Sequence, residues 1–366
     1  MRSIKQTYIP QILLLFIIII LMAACGVKNN SIGKEDEIIV IADSVDYLKL
    51  EPALYETFSK VIYTPQPENL FEIIRRPFES LKNLKNRKNI IIIAPMDGKG
   101  FTADYVRSML DSTVFSMVKS GKEFVFNKYD LWAKDQLVMV LTAPNLSDLE
   151  KNILTQKEKL LYHFKKISDK RLSRSLYNSD YERKDVEAQF LRDYDWIIYV
   201  QSDYIVSKES PEDKFVWLRR AMNTDMERWF FIHWIDNATP EWLNKDSINA
   251  IRDRLTQKYY RTTDNSFVSI AQDQLTTVRE VNFQGNYALM AHGFWRFSDK
   301  SGGGPFISYT FYDEQTRRIY MLDGSVYAPK YYKKQLLQQV DVTLQSFIPG
   351  HKLNPEKRED LMKELK

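Results

Sequence analysis

The stretch EIIVIA at residues 37–42 begins the folded part of the chain. It predicts a buried β-strand because it is short, apolar and β-branched. An amphipathic helix is predicted next, with apolar residues at helical spacing: Ala53, Leu54, Phe58, Val61 and Ile62. Pro65 and Pro67 end this helix, since proline lacks the amide donor and clashes with the preceding turn.

The alternation of strand and helix continues through the first half of the chain. Three further apolar runs are strand candidates: 90–93, 124–126 and 137–141. Thr102 can cap a helix with one apolar face, and the capping box at 147–150 opens another. We therefore predict an N-terminal α+β subdomain over residues 37–168.

The second half is aromatic and rich in strand candidates: 196–200, 215–218, 229–235, 287–297, 306–312 and 318–322. Two helices interrupt these strands, one beginning at the Thr-Pro pair 239–240 and one at Pro329. Residues 169–193, before this half, are densely charged and are interpreted as a linker or a solvated helix. We predict a C-terminal α+β subdomain over residues 194–350 and a charged tail over 351–366.

Together these patterns predict an α+β fold, with mixed or antiparallel sheets flanked by amphipathic helices. Each half combines strands with long amphipathic helices, which suggests the hypothesis of two similar subdomains. The halves do not align residue by residue, so the hypothesis of a duplication rests on composition alone.

The first 25 residues have the order of a bacterial lipoprotein signal. Arg2 and Lys5 precede an unbroken apolar run from Ile12 to Met22, which two alanines and Cys25 follow. The run is too short for a permanent membrane helix, which needs about 20 residues. Small residues before a lone cysteine match a lipobox, so Cys25 is the predicted site of lipid attachment. A single-pass anchor and a cleaved signal without lipid are the alternatives.

The predicted location is the cell envelope, with acyl chains on Cys25 holding the protein at a membrane. Residues 26–36 are polar and aperiodic, which is typical of a flexible tether. Acidic residues begin only at Glu35, which favours the periplasmic face of the outer membrane over the cell surface. Since Cys25 is the only cysteine, its acylation leaves no thiol for a disulfide or a nucleophile.

Charge and motifs exclude several classes of function. Removal of the signal takes Arg2 and Lys5 from the 52 cationic residues, which leaves a surplus of two over the 48 acidic residues. This balance argues against a nucleic-acid partner. The sequence contains no P-loop, zinc-binding helix or nucleophile elbow. We therefore expect no cofactor, no metal and no catalytic residues.

The candidates for ligand binding all lie in the C-terminal half: His292, Trp295, Gly303, Gly304, Tyr309 and Tyr327. The glycines belong to the run SGGGP at 301–305, where missing Cβ atoms would let a backbone approach a ligand; a loop between strands is the alternative. The aromatic rings could stack on a sugar, although aromatic residues in strands are favoured because they pack well. His233 lies in an apolar strand, where a core position is the alternative to acid–base chemistry.

Five stretches show a likeness to known proteins: EIIVIADS at 37–44, LWAKDQ at 131–136, FVWLR at 215–219, GGPFISY at 303–309 and LDGSVYAP at 322–329. Their order and spacing resemble a lipoprotein family of Bacteroidetes that is catalogued as domain of unknown function 4837. The resemblance implies an exported, anchored protein and a single family unit over nearly all of the mature chain. It implies no catalytic residues.

The expected function is non-catalytic binding or scaffolding of another envelope component by a lipid-anchored protein. The expected partners are the membrane, through the acyl chains, and an envelope protein or glycan. One alternative is a glycan or peptidoglycan binder using Trp295, Tyr309 and Tyr327, which would have to be exposed together. The other is a hydrolase around His292 or His233, which would need an imidazole in an open cleft beside a serine or carboxylate.

Overall fold

The computed structural model describes residues 28–220 and 225–365. Within them the chain forms two units: unit 1 contains residues 28–60 and 70–167, and unit 2 contains 61–69 and the described chain from 168 onward. Each unit has its own main sheet. In the described ranges, no helix combines the length and the apolar character that crossing a membrane requires.

Unit 1 is built on a five-stranded, mostly parallel sheet. The strands of this sheet are β1 (Glu37–Ile41), β4 (Glu72–Arg76), β5 (Asn89–Ile93), β6 (Val125–Tyr129) and β7 (Leu137–Leu141). Two short strands that lie between β1 and β4 in the sequence, β2 (Val61–Tyr63) and β3 (Pro67–Asn69), belong to unit 2. Their order is β4-β1-β5-β7-β6, and β6 runs antiparallel to β7. Every residue of β5 and β7 is buried, as expected for parallel strands that are covered on both faces.

Helices cover both faces of this sheet. They are α1 (Ser44–Phe58), α2 (Leu81–Leu84), α3 (Phe101–Ser108), α4 (Ser112–Lys119), α5 (Leu146–Thr155) and α6 (Lys157–Leu176). Side chains alternate along β1, so Ile38 and Val40 share a core with α1, α5 and α6. Ile39 and Ile41 point the other way and share a core with α2 and α3. Unit 1 is therefore a three-layer arrangement.

Three helix boundaries in unit 1 differ from the predicted ones. Helix α1 ends at Phe58, and the apolar residues after it form β2 instead of a further turn. The helix predicted from Thr102 is two helices, because the Asp111 side chain accepts a hydrogen bond from the backbone of Val114 and starts α4. Helix α5 is capped by Asn145 and not by the predicted capping box.

The predicted tether is wrong where the structure describes it, because the backbone from residue 28 is docked on unit 1. The Ile32 N–H donates to the carbonyl of Asn86 at 2.8 Å, and the Ser31 N–H donates to the carbonyl of Lys134 at 2.9 Å. Residues 26 and 27 lie outside the described chain.

Unit 2 is built on an eight-stranded antiparallel sheet. Its strands are β9 (Ile205–Ser210), β10 (Phe215–Arg220), β11 (Glu227–Ile235), β12 (Val268–Ile270), β13 (Thr277–Phe283), β14 (Asn286–Phe297), β15 (Gly303–Asp313) and β16 (Arg318–Tyr327). The order is β12-β14-β15-β16-β11-β10-β9, and β13 also pairs with β14. A separate two-stranded sheet joins β8 (Trp196–Ile197) to β17 (Ile348–Pro349).

Unit 2 also contains four described helices beyond α6: α7 (Lys184–Tyr194), α8 (Lys245–Tyr259), α9 (Lys334–Leu344) and α10 (Pro355–Lys363). Helix α9 packs on one sheet face, where Gly324 of β16 makes room for it: a Cβ there would lie 2.0 Å from Cγ1 of Val340. Helix α8 covers the other face through Ile248 and Leu255.

The hairpin of β2 and β3 is held in unit 2 by a helix cap. Glu68 Oε1 accepts hydrogen bonds from the backbone N–H groups of Lys333 at 2.9 Å and Lys334 at 3.2 Å. These groups at the start of α9 have no acceptor within the helix itself, so the carboxylate satisfies them from outside.

The α+β class with mixed and antiparallel sheets is confirmed, but three details of the predicted organisation are wrong. Residues 169–193 are not a linker, since the end of α6 and most of α7 occupy them. Residues 351–366 are not a free tail, because α10 buries Leu361 completely. The units are not similar subdomains: one sheet is mostly parallel and the other antiparallel.

Candidate functional site

An ion pair between α8 and the main sheet lies completely inside unit 2. Arg252 is 1 % exposed and Asp323 of β16 is 0 % exposed. Arg252 Nε donates to Asp323 Oδ2 at 2.6 Å, and Nη2 donates to Asp323 Oδ1 at 3.3 Å and to Ser325 Oγ at 3.2 Å. The guanidinium also lies over the Phe306 ring, 3.7 Å from its centre. These contacts fix α8 on the sheet.

A cavity of about 390 Å³ borders the same helix. Its lining comes from one side of α8 and from the segment that connects β12 to β13: Asn249, Ala250, Asp253, Ile270, Ala271, Gln272, Gln274 and Thr276. The volume is within the range of small-molecule sites.

The cavity arises because β12 and β13 pair with the same strand. β12 pairs with residues 295–297 of β14 and β13 pairs with 286–292, so the connecting segment has to pass over 293–294. Gly293 permits this close passage: a Cβ there would lie 2.6 Å from Thr276 Oγ1. The segment leaves the sheet and forms one wall of the cavity.

Two side-chain atoms of the lining are buried without a hydrogen-bond partner in the described chain: Asn249 Oδ1 and Thr276 Oγ1. Asn249 and Asp253 are four residues apart on α8 and therefore lie on the same side of the helix. Asp253 Oδ1 accepts a hydrogen bond from the Ile270 backbone at 2.7 Å. Burial raises the pKa of the Asp253 carboxyl above its ordinary value, although the Ile270 N–H and the Arg252 charge oppose this rise.

The lining of the cavity offers polar groups that form hydrogen bonds. It presents acceptors and amide groups, and none of its eight residues is a serine, cysteine, histidine or lysine. Across residues 28–220 and 225–365, no group of three or more His, Cys, Asp or Glu side chains is placed to hold a metal ion. The arrangement can therefore orient a polar molecule through hydrogen bonds.

The structure does not bring the predicted aromatic residues together on the surface. Trp295 is 1 % exposed and packs 5.9 Å from the half-buried ring of Tyr327 on the α8 side of the sheet. Tyr309 is 7 % exposed and faces the other side, where its hydroxyl donates to Asp341 Oδ1 at 2.7 Å. Stacking of a sugar on Trp295, Tyr309 and Tyr327 is therefore excluded.

The predicted glycine site is part of strand β15. A Cβ on Gly304 would lie 2.0 Å from the carbonyl oxygen of Val326, and one on Gly303 would lie 2.5 Å from the carbonyl oxygen of Trp295. The missing Cβ atoms therefore let neighbouring strands approach one another and do not admit a ligand.

The structure places neither histidine in the lining of this cavity. His292 is exposed on β14, opposite Ile307 of β15, and does not line the cavity. His233 is 6 % exposed, and its Nδ1 donates to the carbonyls of Asp213 at 3.1 Å and Lys214 at 3.0 Å. Burial lowers the pKa of the His233 imidazole to about 4, so it is a neutral core residue. Cys25, the predicted lipid site, lies outside the described residues.

Sequence reasoning missed Asn249, Asp253 and Thr276. It predicted a helix beginning at 239–240, and Asn249 and Asp253 are polar residues of this helix like several others. Nothing in the spacing distinguishes them from solvated side chains, because the cavity exists only once β12 and β13 both pair with β14.

Comparison with known proteins identifies two family models. Residues 182–346 match the family described as Domain of unknown function (DUF4837), and residues 31–177 match Domain of unknown function (DUF8532). The resemblance to the first family is thus confirmed for the C-terminal part of the chain. The expectation that it spans nearly all of the mature chain is wrong, since the N-terminal part matches another family. Neither description names a catalytic activity.

Solved structures add a weak similarity. A mutant of the protein Mog1 gives a TM-score of 0.28 at 11% identity, over 42% of this chain and 90% of that chain. The Saccharomyces cerevisiae Ran-binding protein Mog1p gives a TM-score of 0.28 at 10% identity, over 43% of this chain and 90% of that chain. Scores of this size carry no argument about fold or function. No curated protein matches the chain.

Substitutions in the buried ion pair should lower the free energy of unfolding strongly, and by different amounts for its two residues. Asp323→Asn leaves a buried guanidinium that cannot lose its charge, so we expect a loss of about 3–5 kcal/mol in the free energy of unfolding. Arg252→Met should cost less, because burial already raises the pKa of the Asp323 carboxyl and favours its neutral form. Urea unfolding of the full chain measures both values.

The double variant Arg252→Met/Asp323→Leu should be more stable than Asp323→Asn, because it leaves no unpaired buried charge. Lys330→Met, which removes a partner from the exposed pair with Asp225, is the control and should change stability by about 1 kcal/mol or less. Equal losses in the free energy of unfolding for Asp323→Asn and Lys330→Met would contradict a stabilising role that is specific to the buried pair.

His233 should make stability fall in acid. Burial lowers the pKa of its imidazole from the ordinary 6.5 to about 4, so its contribution to stability is complete above pH 6.5 and is lost as pH falls toward 4. The loss should be about 3 kcal/mol between pH 7 and pH 4. His233→Asn keeps an N–H donor for the carbonyls and should lose that part of the pH dependence. Urea unfolding from pH 4 to pH 7 measures the free energy of unfolding of both proteins. If it falls as steeply with pH in the variant as in the unchanged protein, the prediction is refuted.

Proposed function

Residues 182–346 form a domain of the DUF4837 family, and we propose that this domain binds a small polar component of the cell envelope without transforming it. In this proposal Cys25 carries the lipid that holds the chain at a membrane. The support for the anchor is the order of cations, apolar run, alanines and cysteine in the first 25 residues.

The observation that carries the binding role is the cavity between α8 and the β12–β13 connection. Its lining is largely polar, with carboxyl, amide and hydroxyl groups from Asp253, Asn249, Gln272, Gln274 and Thr276. Polar groups of this kind orient a small molecule through hydrogen bonds. The lining therefore favours a polar occupant over an apolar one.

The lining also supports binding without reaction. A hydrolytic site would need a nucleophile or an activated water together with a base and a stabilising group for developing charge. The cavity offers a single carboxyl group, Asp253, and amide and hydroxyl groups around it. This set fits recognition of a polar molecule.

The anchor can be tested by Cys25→Ser. Without the thiol no acyl chain can be attached, and we expect the variant to appear in the soluble fraction or to remain unprocessed. Ala24→Ser, which leaves the thiol and a small residue in place, is the matched control and should stay with the membranes. Membrane fractionation and mass measurement of the N-terminus report the result, and unchanged fractionation of Cys25→Ser would contradict the lipid anchor.

Ligand binding can be tested with a panel of small polar probes: glucose, N-acetylglucosamine, glucosamine, alaninamide and N-acetylalaninamide. We expect at least one to bind the full-length chain in lipid nanodiscs, measured by saturation-transfer NMR and calorimetric titration. Thr276→Val replaces a polar residue of the lining with an apolar one of the same shape and should weaken binding about tenfold, the equivalent of about 1.4 kcal/mol.

The matched control is Thr277→Val, the same substitution one residue further on, where the hydroxyl donates to the His292 carbonyl outside the cavity lining. It should leave the affinity unchanged. A panel that shows no binding, or equal effects of both valine variants, would reject the cavity as the binding site.

A further inference from the structure

We infer that a proton held between Glu182 and Glu187 keeps the C-terminal helix α10 docked on α7, and that loss of this proton releases the helix. The basis is a cluster that these two carboxyl groups form with Lys357 of α10. None of the three residues lines the cavity, so the inference is independent of the proposed function.

The two carboxyl groups meet at one lysine. Lys357 Nζ lies 2.5 Å from Glu182 Oε1 and 3.7 Å from Glu187 Oε2. Glu187 is 1 % exposed, and its Oε1 accepts a hydrogen bond from the Val200 N–H at 3.0 Å. A further hydrogen bond joins the side chains of Glu182 and Glu187. Since an ionised carboxylate can only accept, this bond requires a proton on one of the two groups.

The charge of the cluster depends on that proton. With one carboxyl group protonated, the remaining carboxylate and the Lys357 ammonium cancel. With both ionised, the cluster carries one net negative charge away from water, and two like charges lie close together. Burial raises the pKa of the Glu187 carboxyl to about 8, and the negative charge of Glu182 adds to this rise, while the Val200 N–H and Lys357 oppose it.

The other ionisable groups around the cluster respond in different ranges of pH. Lys184 Nζ of α7 lies 2.9 Å from Asp360 Oδ2 of α10, and this hydrogen bond raises the pKa of the lysine and lowers that of the aspartate. Arg183 and Asp185 pair at 2.7 Å with the same pair of effects. Burial raises the pKa of the Tyr199 hydroxyl, which also faces the two glutamates. These shifts move all five groups further from the range between pH 6 and pH 9.

Helix α10 is a small element that can open without the rest of unit 2. It has nine residues, and its completely buried Leu361 shares a small apolar cluster with Leu191 and Ile197. Terminal elements with few buried contacts open at a lower free energy than the core of a unit. Undocking removes the cover over Glu187 and brings its carboxyl group into water.

The direction of the pH effect follows from this exposure. In water the Glu187 carboxyl has its ordinary pKa of 4.5, whereas the docked state raises the pKa to about 8. The docked state therefore holds a proton that the open state releases between these values. The contribution of this proton to docking is complete below pH 4.5 and is lost as the pH rises to about 8.

Hydrogen exchange measured by mass spectrometry on the full-length chain in lipid nanodiscs tests this inference. Rates for peptides within residues 353–365 are divided by the rates of the unfolded chain at the same pH, which gives the opening equilibrium of α10 alone. We expect this equilibrium constant to increase at least tenfold from pH 6 to pH 9, since each full unit of pH in the window changes it by up to about tenfold.

The variant Glu187→Gln reproduces the protonated state permanently. Its amide oxygen can accept from the Val200 N–H, and its amide N–H groups can donate to Glu182. The opening of α10 should then be the same at pH 6 and pH 9. Asp360→Asn is the matched control at the same interface, because it removes the partner of Lys184 and leaves the carboxyl pair in place. It should keep the tenfold response.

Urea unfolding at pH 6 establishes that the variants are folded. Glu182→Gln serves as the second variant, in case Glu187→Gln does not fold: it removes the like charge beside Glu187, and the response to pH should be smaller than in the unchanged chain. Equal opening of α10 at pH 6 and pH 9 in the unchanged chain would overturn the inference. A tenfold response that persists in Glu187→Gln, or an undiminished one in Glu182→Gln, would do the same.

Discussion

The ion pair between Arg252 and Asp323 is the constraint on which the organisation of unit 2 depends. Removing one partner of a buried ion pair is strongly destabilising, because it leaves the other charge uncompensated. Asp323 lies in the middle of β16, between β11 and β15, so its position is fixed by the registers of both neighbours. Arg252 can reach it only if α8 has one rotation and one translation on the sheet. Apolar contacts alone would allow a helix to shift more freely, and the pair removes that freedom.

The cavity follows from this fixed helix together with the pairing of β14. With Arg252 held towards the sheet, Asn249 and Asp253 are placed on the side of α8 that meets the β12–β13 connection. The Ala271 N–H still donates to the carbonyl of Phe294 at 2.8 Å, and the connection then leaves the edge of β14 as it passes Gly293 and supplies a wall of the cavity. Helix α8 and the β12–β13 connection are separate segments of the sequence, and both pack against the same sheet. The cavity is therefore a consequence of topology and not of a local motif.

The sequence predicts those parts of the fold that depend on local pattern. Strands such as β5 and β7 are short apolar runs with clear limits, and their positions are correct. At Val61 the sequence predicts a helix, because the apolar residues there also fit a helical spacing. Pairing with β3 makes this segment a strand, and the local pattern does not contain that pairing. Sheet order and strand direction are set by long-range pairing, which no local pattern contains. For the same reason the hypothesis of two similar halves could not be rejected from composition.

The site residues could not be predicted because the role of a residue type depends on whether the fold buries it or exposes it. Trp295 and Tyr309 have the chemistry of sugar-stacking rings, yet the sheet encloses them, and enclosed rings contribute packing alone. Asn249 and Thr276 look like ordinary surface residues, yet the fold buries one polar atom of each without a partner in the described chain. Their place beside Asp253 is set by the packing of α8 on the sheet and by the path of the β12–β13 connection. Both depend on contacts between distant parts of the chain, so the local spacing of residues does not reveal them.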